Sequence, residues 1–570
     1  MLLNGAPLNS IPLNTTPGAA SEPEQAGGPN AIRWRARVIV AGVDWSARLV
    51  DGIDIDRESN ASGVFTFYLC LPAGPVTPTD WKGRAVSIDY IDEISGVTRE
   101  QRKITGRIVD PSWNGTTRTL TCTCSDQRQQ QVENMEVSEI DALCGGYWSA
   151  DVFEPLDGRS RWDYALERMQ SRTADIDCDV FGNVRVTSWY SKGTSDFLFG
   201  AGATVYDTLD VQLSDLSAQI NKVEITADYR FSRLRQLNQG YGWAHPGTGG
   251  ATGENGFCNW RQDNTELPDI PMIRDAVSGS GQVMIAGSYF TVPPSGRYCD
   301  PPVIWINEYT ELILSASFVG ARRWVQPVTE KYRLNIVADT SVAAVGPVIA
   351  RQSSSVSIES KRAESWESDT GFSGGSTGHE DLRDEPRRQA MLLTLLSQAR
   401  AQIVGAHRGT LLSWDVPTSW VLGLDLVHTL DLDDFGAGAH GKVTRLRHRL
   451  DLGGGSALTT VTIAVMRGGG DQTDPLIPPP YTVEPPPPPP EGPGLGASLP
   501  TQLGGRGAVY DEDRDGFSGN YTNYDDEPGD FPRRFQITAD EIPAEVRDES
   551  TPEVPATYRV AIPNDRLELY

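Results

Sequence analysis

At 570 residues the chain is too long for one hydrophobic core and suggests roughly three or four domains. Its 57 glycines and 39 prolines favour many short strands and turns over long helices, so the expected fold class is mainly β with some α, an α+β protein. A formal net charge of −26 argues against a protein that binds nucleic acid by neutralising phosphates, and no apolar run of about eighteen residues predicts a membrane-spanning segment.

Residues 1–30, rich in Asn, Pro, Ala and Gly, predict an extended N-terminal arm with too little apolar surface to order alone. The arm lacks the charged and then apolar regions of a secretory signal, so synthesis in a cytoplasm is expected. Over 31–135, six segments alternate or run apolar between Gly, Pro, Asn and Asp: 33–40, 48–55, 63–71, 84–90, 102–109 and 117–124. That spacing predicts a small antiparallel barrel. Residues 136–220 predict a mixed α+β domain, with a helix from Arg161 to Ser171 capped by Ser160, followed by a hairpin of 176–180 and 183–189.

Residues 221–229 predict a strand entering a second barrel, and 230–345 an insertion with long loops. Residues 346–470 combine a helix from Asp384 to Val404, closed by Gly405, with strands at 411–416, 424–432, 441–450 and 457–465. A Pro-rich linker, 471–500, holds the chain extended and leads to an acidic C-terminal arm, 501–570. Within that arm Thr557 to Ile562 alternates in a way suited to edge-strand addition on another subunit.

Three parts of this pattern carry a family resemblance. Gly42-Val43-Asp44, Trp81-Lys82-Gly83, the strand Gly106 to Val109 and the closing Cys122 to Asp126 resemble the first barrel of phage baseplate hub proteins, the tail-tip proteins of long-tailed phages. Gly441 to Asp451, followed by Gly453-Gly454-Gly455 and Ser456 to Val465, resembles the closing hairpin of the hub's second barrel. Leu3-Asn4-Gly5-Ala6-Pro7-Leu8-Asn9 and Ile11-Pro12-Leu13-Asn14 are similar to a repeat that opens many phage tail proteins.

The resemblance implies a structural virion protein at the distal end of the tail, assembled in the host cytoplasm. It implies a homotrimer whose two related, tail-tube-like barrels per chain match a sixfold tail tube to a threefold tip. Its partners would be distal tail and tail tube proteins, the tape measure protein, and tail fibre or spike proteins. Genomic DNA would pass through without specific binding, and no catalytic residue is expected. The alternatives are a hub carrying a cell-wall hydrolase, or a host-polysaccharide-binding domain using Tyr241, Trp243, Trp260 and Tyr289.

Side chains with chemical potential are few. The six histidines form no HExxH or HxH pair, although His428, His440 and His448 fall on or beside strands of one predicted barrel. Cys144-Gly145-Gly146-Tyr147-Trp148 reads as a turn, having no His in a partner motif. Cys122, Cys124, Cys144 and Cys178 can be nominated for an iron–sulfur cluster but lack ligand-like spacing, and the cysteines read mainly as buried apolar residues. Cys258 and Cys299 can pair within the insertion. Asp511, Asp513 and Asp515, followed by Gly516, match the first half of a calcium loop, but Thr522 stands where the bidentate Glu belongs.

Overall fold

The computed structural model describes residues 23–28, 32–94, 96–244, 248–249, 251–260, 267, 269–307, 311–366, 378–481, 517–519, 535–537 and 542–570. The protein is mainly β with few helices, as its composition predicts. In the first barrel region, Leu49–Glu58, Val64–Cys70, Thr119–Ser125, Val97–Asn114, Ala85–Ile94 and Arg33–Val40 lie side by side in that order. Alternate residues point inward, among them Val38, Ile55, Phe65, Phe67, Ile88, Ile108, Leu120 and Cys122. Strands from both ends of the row feed one core, so the sheet must curl into a half-barrel.

A second half-barrel repeats this plan. Thr410–Pro417 pairs with Ser456–Val465, which pairs with Ala437–Asp451, which pairs with Thr429–Asp434. Phe197–Phe199 and Asp210–Gln212 flank the row. Trp414, Phe199, Leu430, Val461 and Ile463 fill its core, with the Phe199 and Trp414 rings 5.2 Å apart.

The likeness extends to individual residues. A 3-10 turn, Pro78–Trp81 in one and Thr418–Trp420 in the other, sits inside Pro-Thr-x-Trp and precedes the first meander strand. The second meander strand then carries Gly106-Arg107-Ile108-Val109 or Gly441-Lys442-Val443-Thr444, each ending in a bulge at its fourth residue. A Cβ at Gly106 would run into the Ser125 carbonyl oxygen, and one at Gly441 into that of Ala464. Both strands therefore need glycine, three residues before the bulge, for close backbone approach.

Arg445 to Asp451 also pairs antiparallel with Glu58 to Gly52, which fuses the half-barrels into one 15-stranded sheet. The sheet is completed by Glu24–Gln25 alongside Phe197 and Leu198, and by Leu567–Leu569 alongside Ala437 to Ala439.

The strand expected to enter the second barrel does not do so. Lys222–Ala244 runs unbroken for 23 residues against Ile313–Val337 in a separate six-stranded sheet. The predicted insertion boundary at 230 falls within this strand. Polar and glycine residues from Gln236 to Gly242 mask its continuity in sequence. The helix Glu385–Ala406 covers the sheet, burying Met391, Leu392, Leu395, Leu396, Ala399 and Ile403 against Tyr229, Tyr332, Leu334 and Ile336. Asp384 caps it as expected. Gly405 does not end it, since the helix runs to Ala406 and is capped at His407; the absent Cβ of Gly405 instead makes room for the Trp189 ring, about 3.3 Å from where that carbon would be.

The C-terminal segment also differs from expectation. Glu553–Arg559 adds a parallel strand to the chain's own Lys331 to Val337, burying Val554, Tyr558, Val560 and Ile562. This edge accepts the strand because every second residue matches an apolar position of the core beneath.

Between the half-barrels lies a small α+β unit. Helices Arg128–Glu133, Val137–Cys144 and Arg161–Gln170 pack on the hairpin of Ala174–Cys178 and Val184–Ser188. The Ser160 hydroxyl accepts from the Asp163 amide, as its spacing predicts. The first of these helices begins before the predicted boundary at 135, since Val132 belongs to this unit's core.

Candidate functional site

A cluster of charged side chains lies under the seam between the half-barrels. On the outer face, Arg445 and Arg447 reach the carboxylates of Asp56 and Asp54, with Nε–O distances of 2.8 and 3.0 Å. Such exposed pairs contribute about 0–1 kcal/mol each.

The inner face is drier. Arg57 is 3% exposed, pairs with Asp425 at 2.8 Å and donates to the Cys178 carbonyl at 2.7 Å. Asp425 also pairs with Arg185 at 2.8 Å, and Arg185 with Asp177 at 2.6 Å. One strand of the first half-barrel, the hairpin of the α+β unit and a loop of the second half-barrel thus meet at one carboxylate. Lys103, 2% exposed, donates to the Leu422 carbonyl at 2.9 Å. Arg99 pairs with Asp92 at 2.6 Å and reaches the Ser419 carbonyl at 3.1 Å. His448, also buried, lies 2.8 Å from the Thr459 hydroxyl, which donates to Thr418 at 3.0 Å.

Electrostatics follow from this enclosure. Burial works to raise the Asp425 pKa, but Arg57 and Arg185 prevail and hold it at about 2. Burial, with Arg57 nearby, lowers the Lys103 ammonium to about 7. Burial, then Lys103 and Arg57, keeps His448 well below its ordinary range and therefore neutral. The cluster joins three units, because Asp425 of the second half-barrel pairs with Arg57 of the first and Arg185 of the α+β unit, while Lys103 and Arg99 reach carbonyls of the same second half-barrel loop. Its amine and imidazole are both enclosed, the amine held by the Leu422 carbonyl and the imidazole beside the Thr459 hydroxyl.

The sequence candidates fall elsewhere. His428 accepts from the Asp425 amide at 2.9 Å, while His440 contacts Asp431 and the Lys192 carbonyl at 3.0 and 2.8 Å. With His448 on Thr459, the three histidines do not converge. Cys122 and Cys124 lie in the first half-barrel core, whereas Cys144 lies in the core of the α+β unit and Cys178 ends its first hairpin strand. Burial raises all four thiols, Cys144 to about 11 and Cys122 and Cys178 to about 12. Among the described residues no group of three or more His, Cys, Asp or Glu is placed to hold a metal. Asp511, Asp513 and Asp515 lie outside the described residues.

Cys258 and Cys299, the two cysteines nominated for pairing within the insertion, form a disulfide with Cα atoms 5.6 Å apart. Phe257, on the helix carrying Cys258, packs against Tyr298 and Trp305 of the hairpin beside Cys299, with ring centroids 5.6 and 5.1 Å apart, which brings the sulfurs together. The carbohydrate-stacking surface of the alternative reading is not formed by Tyr241 and Trp260. These are 2% and 3% exposed and belong to two different cores, Tyr241 stacked on Phe318. Tyr289 is half-buried, and the Trp243 side chain lies outside the described residues.

Sequence reasoning missed Arg57, Lys103, Arg185 and Asp425, because charged residues in strands read as solvent-facing. The usable signal was the repeated Pro-Thr-x-Trp, which marks the loop that Lys103 and Arg99 grip.

No protein-family model matches the chain, and no curated protein does. Solved structures to which the chain is similar include the 43 kDa tail protein of prophage MuSo2 from Shewanella oneidensis, at 13% identity and TM-score 0.34, covering 75% of this chain and 97% of that one. A tail protein from Neisseria meningitidis MC58 shares 10% identity at TM-score 0.35, covering 76% and 96%. The Escherichia coli c3393 protein, a type VI secretion component described as structurally similar to the T4 bacteriophage tail proteins gp27 and gp5, shares 7% identity at TM-score 0.28, covering 78% and 81%.

Proposed function

We propose that this chain is a structural tail protein of a phage-type particle, the hub at the distal end of the tail. Three copies, each supplying two half-barrels, form a ring of six similar units that meets a sixfold tube on one side and a threefold tip on the other. The observation that carries this reading is the internal repeat: two meanders with the same Trp turn, the same glycine bulge and one continuous sheet.

The ring would surround the channel for the tape measure protein and genomic DNA. The excess of acidic residues supports passage without adhesion, since like charge keeps a polyanion from binding. We read the chain as non-catalytic, because the polar cluster under the seam is enclosed. The alternative of a wall-degrading or polysaccharide-binding insertion remains a separate outcome of the test.

The mass of the purified protein in solution tests the assembly, with three copies expected. A monomer at all concentrations up to those of assembled tails would overturn it. Incubation with peptidoglycan or host polysaccharide tests the rest: fragment release or binding that follows the protein through purification would replace the purely structural reading.

A further inference from the structure

The repeat predicts more than a count of units, because one of its two edge positions is filled and the other is not. In the second half-barrel, the long meander strand beyond its bulge, Arg445 to Asp451, pairs with the leading strand of the first half-barrel, Gly52 to Glu58. The bulges align Val443 with Ile108 and Arg445 with Asp110, since these residues flank the same register shift. The amides beside them confirm the alignment, as Ile108 donates to Arg84 and Val443 to His428 at the corresponding place before each meander. The strand corresponding to Arg445–Arg449 is therefore Asp110 to Asn114. Among the described residues it has a partner only on its inner side, Thr119–Ser125.

The missing partner can be identified in the same way. Leu49–Glu58 pairs Ile55 with Phe65, which faces Cys124; Asp210–Gln212 pairs Val211 with Leu412, which faces Ile463. Cys124 and Ile463 occupy matching positions, opposite Ile108 and Val443. Asp210–Gln212 is thus the leading strand of the second half-barrel, and among the described residues its outer edge is also unpaired. One open edge of each kind is left on every chain, and the two are of complementary type.

We propose that Asp210–Gln212 of one copy pairs antiparallel with Asp110–Asn114 of a second copy, reproducing between chains the joint present within each chain. Transferring the internal register, where Asp56 faces Arg447 and Ile55 faces His448, sets Gln212 opposite Ser112 and Val211 opposite Trp113. It also brings Leu213, 64% exposed, over Pro111, close to Val109, 45% exposed. The external joint should be the weaker of the two. Pro111 supplies no amide donor at a position equivalent to Leu446, and the Arg–Asp ladder of the internal seam has no counterpart, since Asp110 and Ser112 stand where Arg445 and Arg447 do.

The inference rests on the proposed three-copy ring, and the test separates the two. The full chain carrying Ser112→Cys and Gln212→Cys is oxidised, alongside each single variant, and run without reductant while its mass in solution is measured in parallel. Facing residues of a non-hydrogen-bonded pair lie about 4.5 Å apart at Cα, within disulfide reach. Covalent dimers and trimers in the double variant alone are expected. Three-copy particles without that cross-link would overturn this joint while leaving the ring intact, and monomers would overturn the ring. Leu213→Glu in the otherwise unchanged chain is the second measurement, with an increase of about tenfold or more in the concentration needed for assembly and an unaltered melting transition expected. Unaltered assembly would contradict the joint.

Discussion

The first half-barrel is made from one uninterrupted stretch, Arg33 to Ser125, whereas the second is gathered from Glu24–Gln25, Phe197 to Gln212, Thr410 to Val465 and Leu567–Leu569. Both reach the same meander and the same kind of dry core. The difference lies in when the sheet can close: the first needs only local hairpins, while the second waits for contacts separated by hundreds of residues, which carry a larger loop-closure entropy. One sheet unit is thus compatible with two routes of assembly, and the second depends on straps from both ends of the described chain.

Removing residues 482–570 should break this comparison most strongly. It strips Val554, Tyr558, Val560 and Ile562 from the six-stranded sheet's core, each worth about 1.5–3 kcal/mol, and Leu567–Leu569 from the second half-barrel. Limited proteolysis should then cut first within 222–465 and spare Arg33 to Ser125. Equal sensitivity of both regions would show that the first half-barrel does not stand on local contacts.

Asp425→Asn attacks the joint instead of either partner. Leaving Arg57 and Arg185 without their shared carboxylate should cost about 3–5 kcal/mol, read from the denaturant midpoint. The folded pKa is depressed, so the wild-type contribution is fully present above about pH 3.8 and lost as pH falls through about 2. The variant's stability curve should be flatter across that window. An unchanged midpoint at neutral pH would remove Asp425 from the account of the seam.

The bulge glycines sharpen the repeat. Gly106→Ala and Gly441→Ala each push a Cβ into a facing carbonyl and should each cost about 1–3 kcal/mol. A neutral result at one position with a large loss at the other would deny their equivalence. Arg447→Ala should have the smallest effect, at most about 1 kcal/mol and screened by salt, because its partner Asp54 is exposed. A larger loss would mean that the outer ladder, and not the buried cluster, holds the half-barrels.

Much of the β architecture was legible. Alternation located the strands of the first half-barrel, and the cap at Asp384 located the start of the long helix. The failures share a cause, since local periodicity does not report partners distant in sequence. It placed Asn221–Ala227 in the wrong sheet and sent Thr557–Ile562 to another subunit, although its partner lies in the same chain. Polar faces misled in the opposite direction. Arg57 and Lys103 look solvated in their strands, and only the apposed loop of the second half-barrel reveals why they are buried.

The strand Ala437–Asp451 touches four others: Thr429–Asp434, Ser456–Val465, Leu49–Glu58 and Leu567–Leu569. It has no free edge along which it can fray, because both of its sides are paired along its length. Its amides should therefore exchange with solvent only through global opening, making it the slowest-exchanging segment of the chain. A strand shared in this way ties the second core to the first, while the first still closes on its own hairpins.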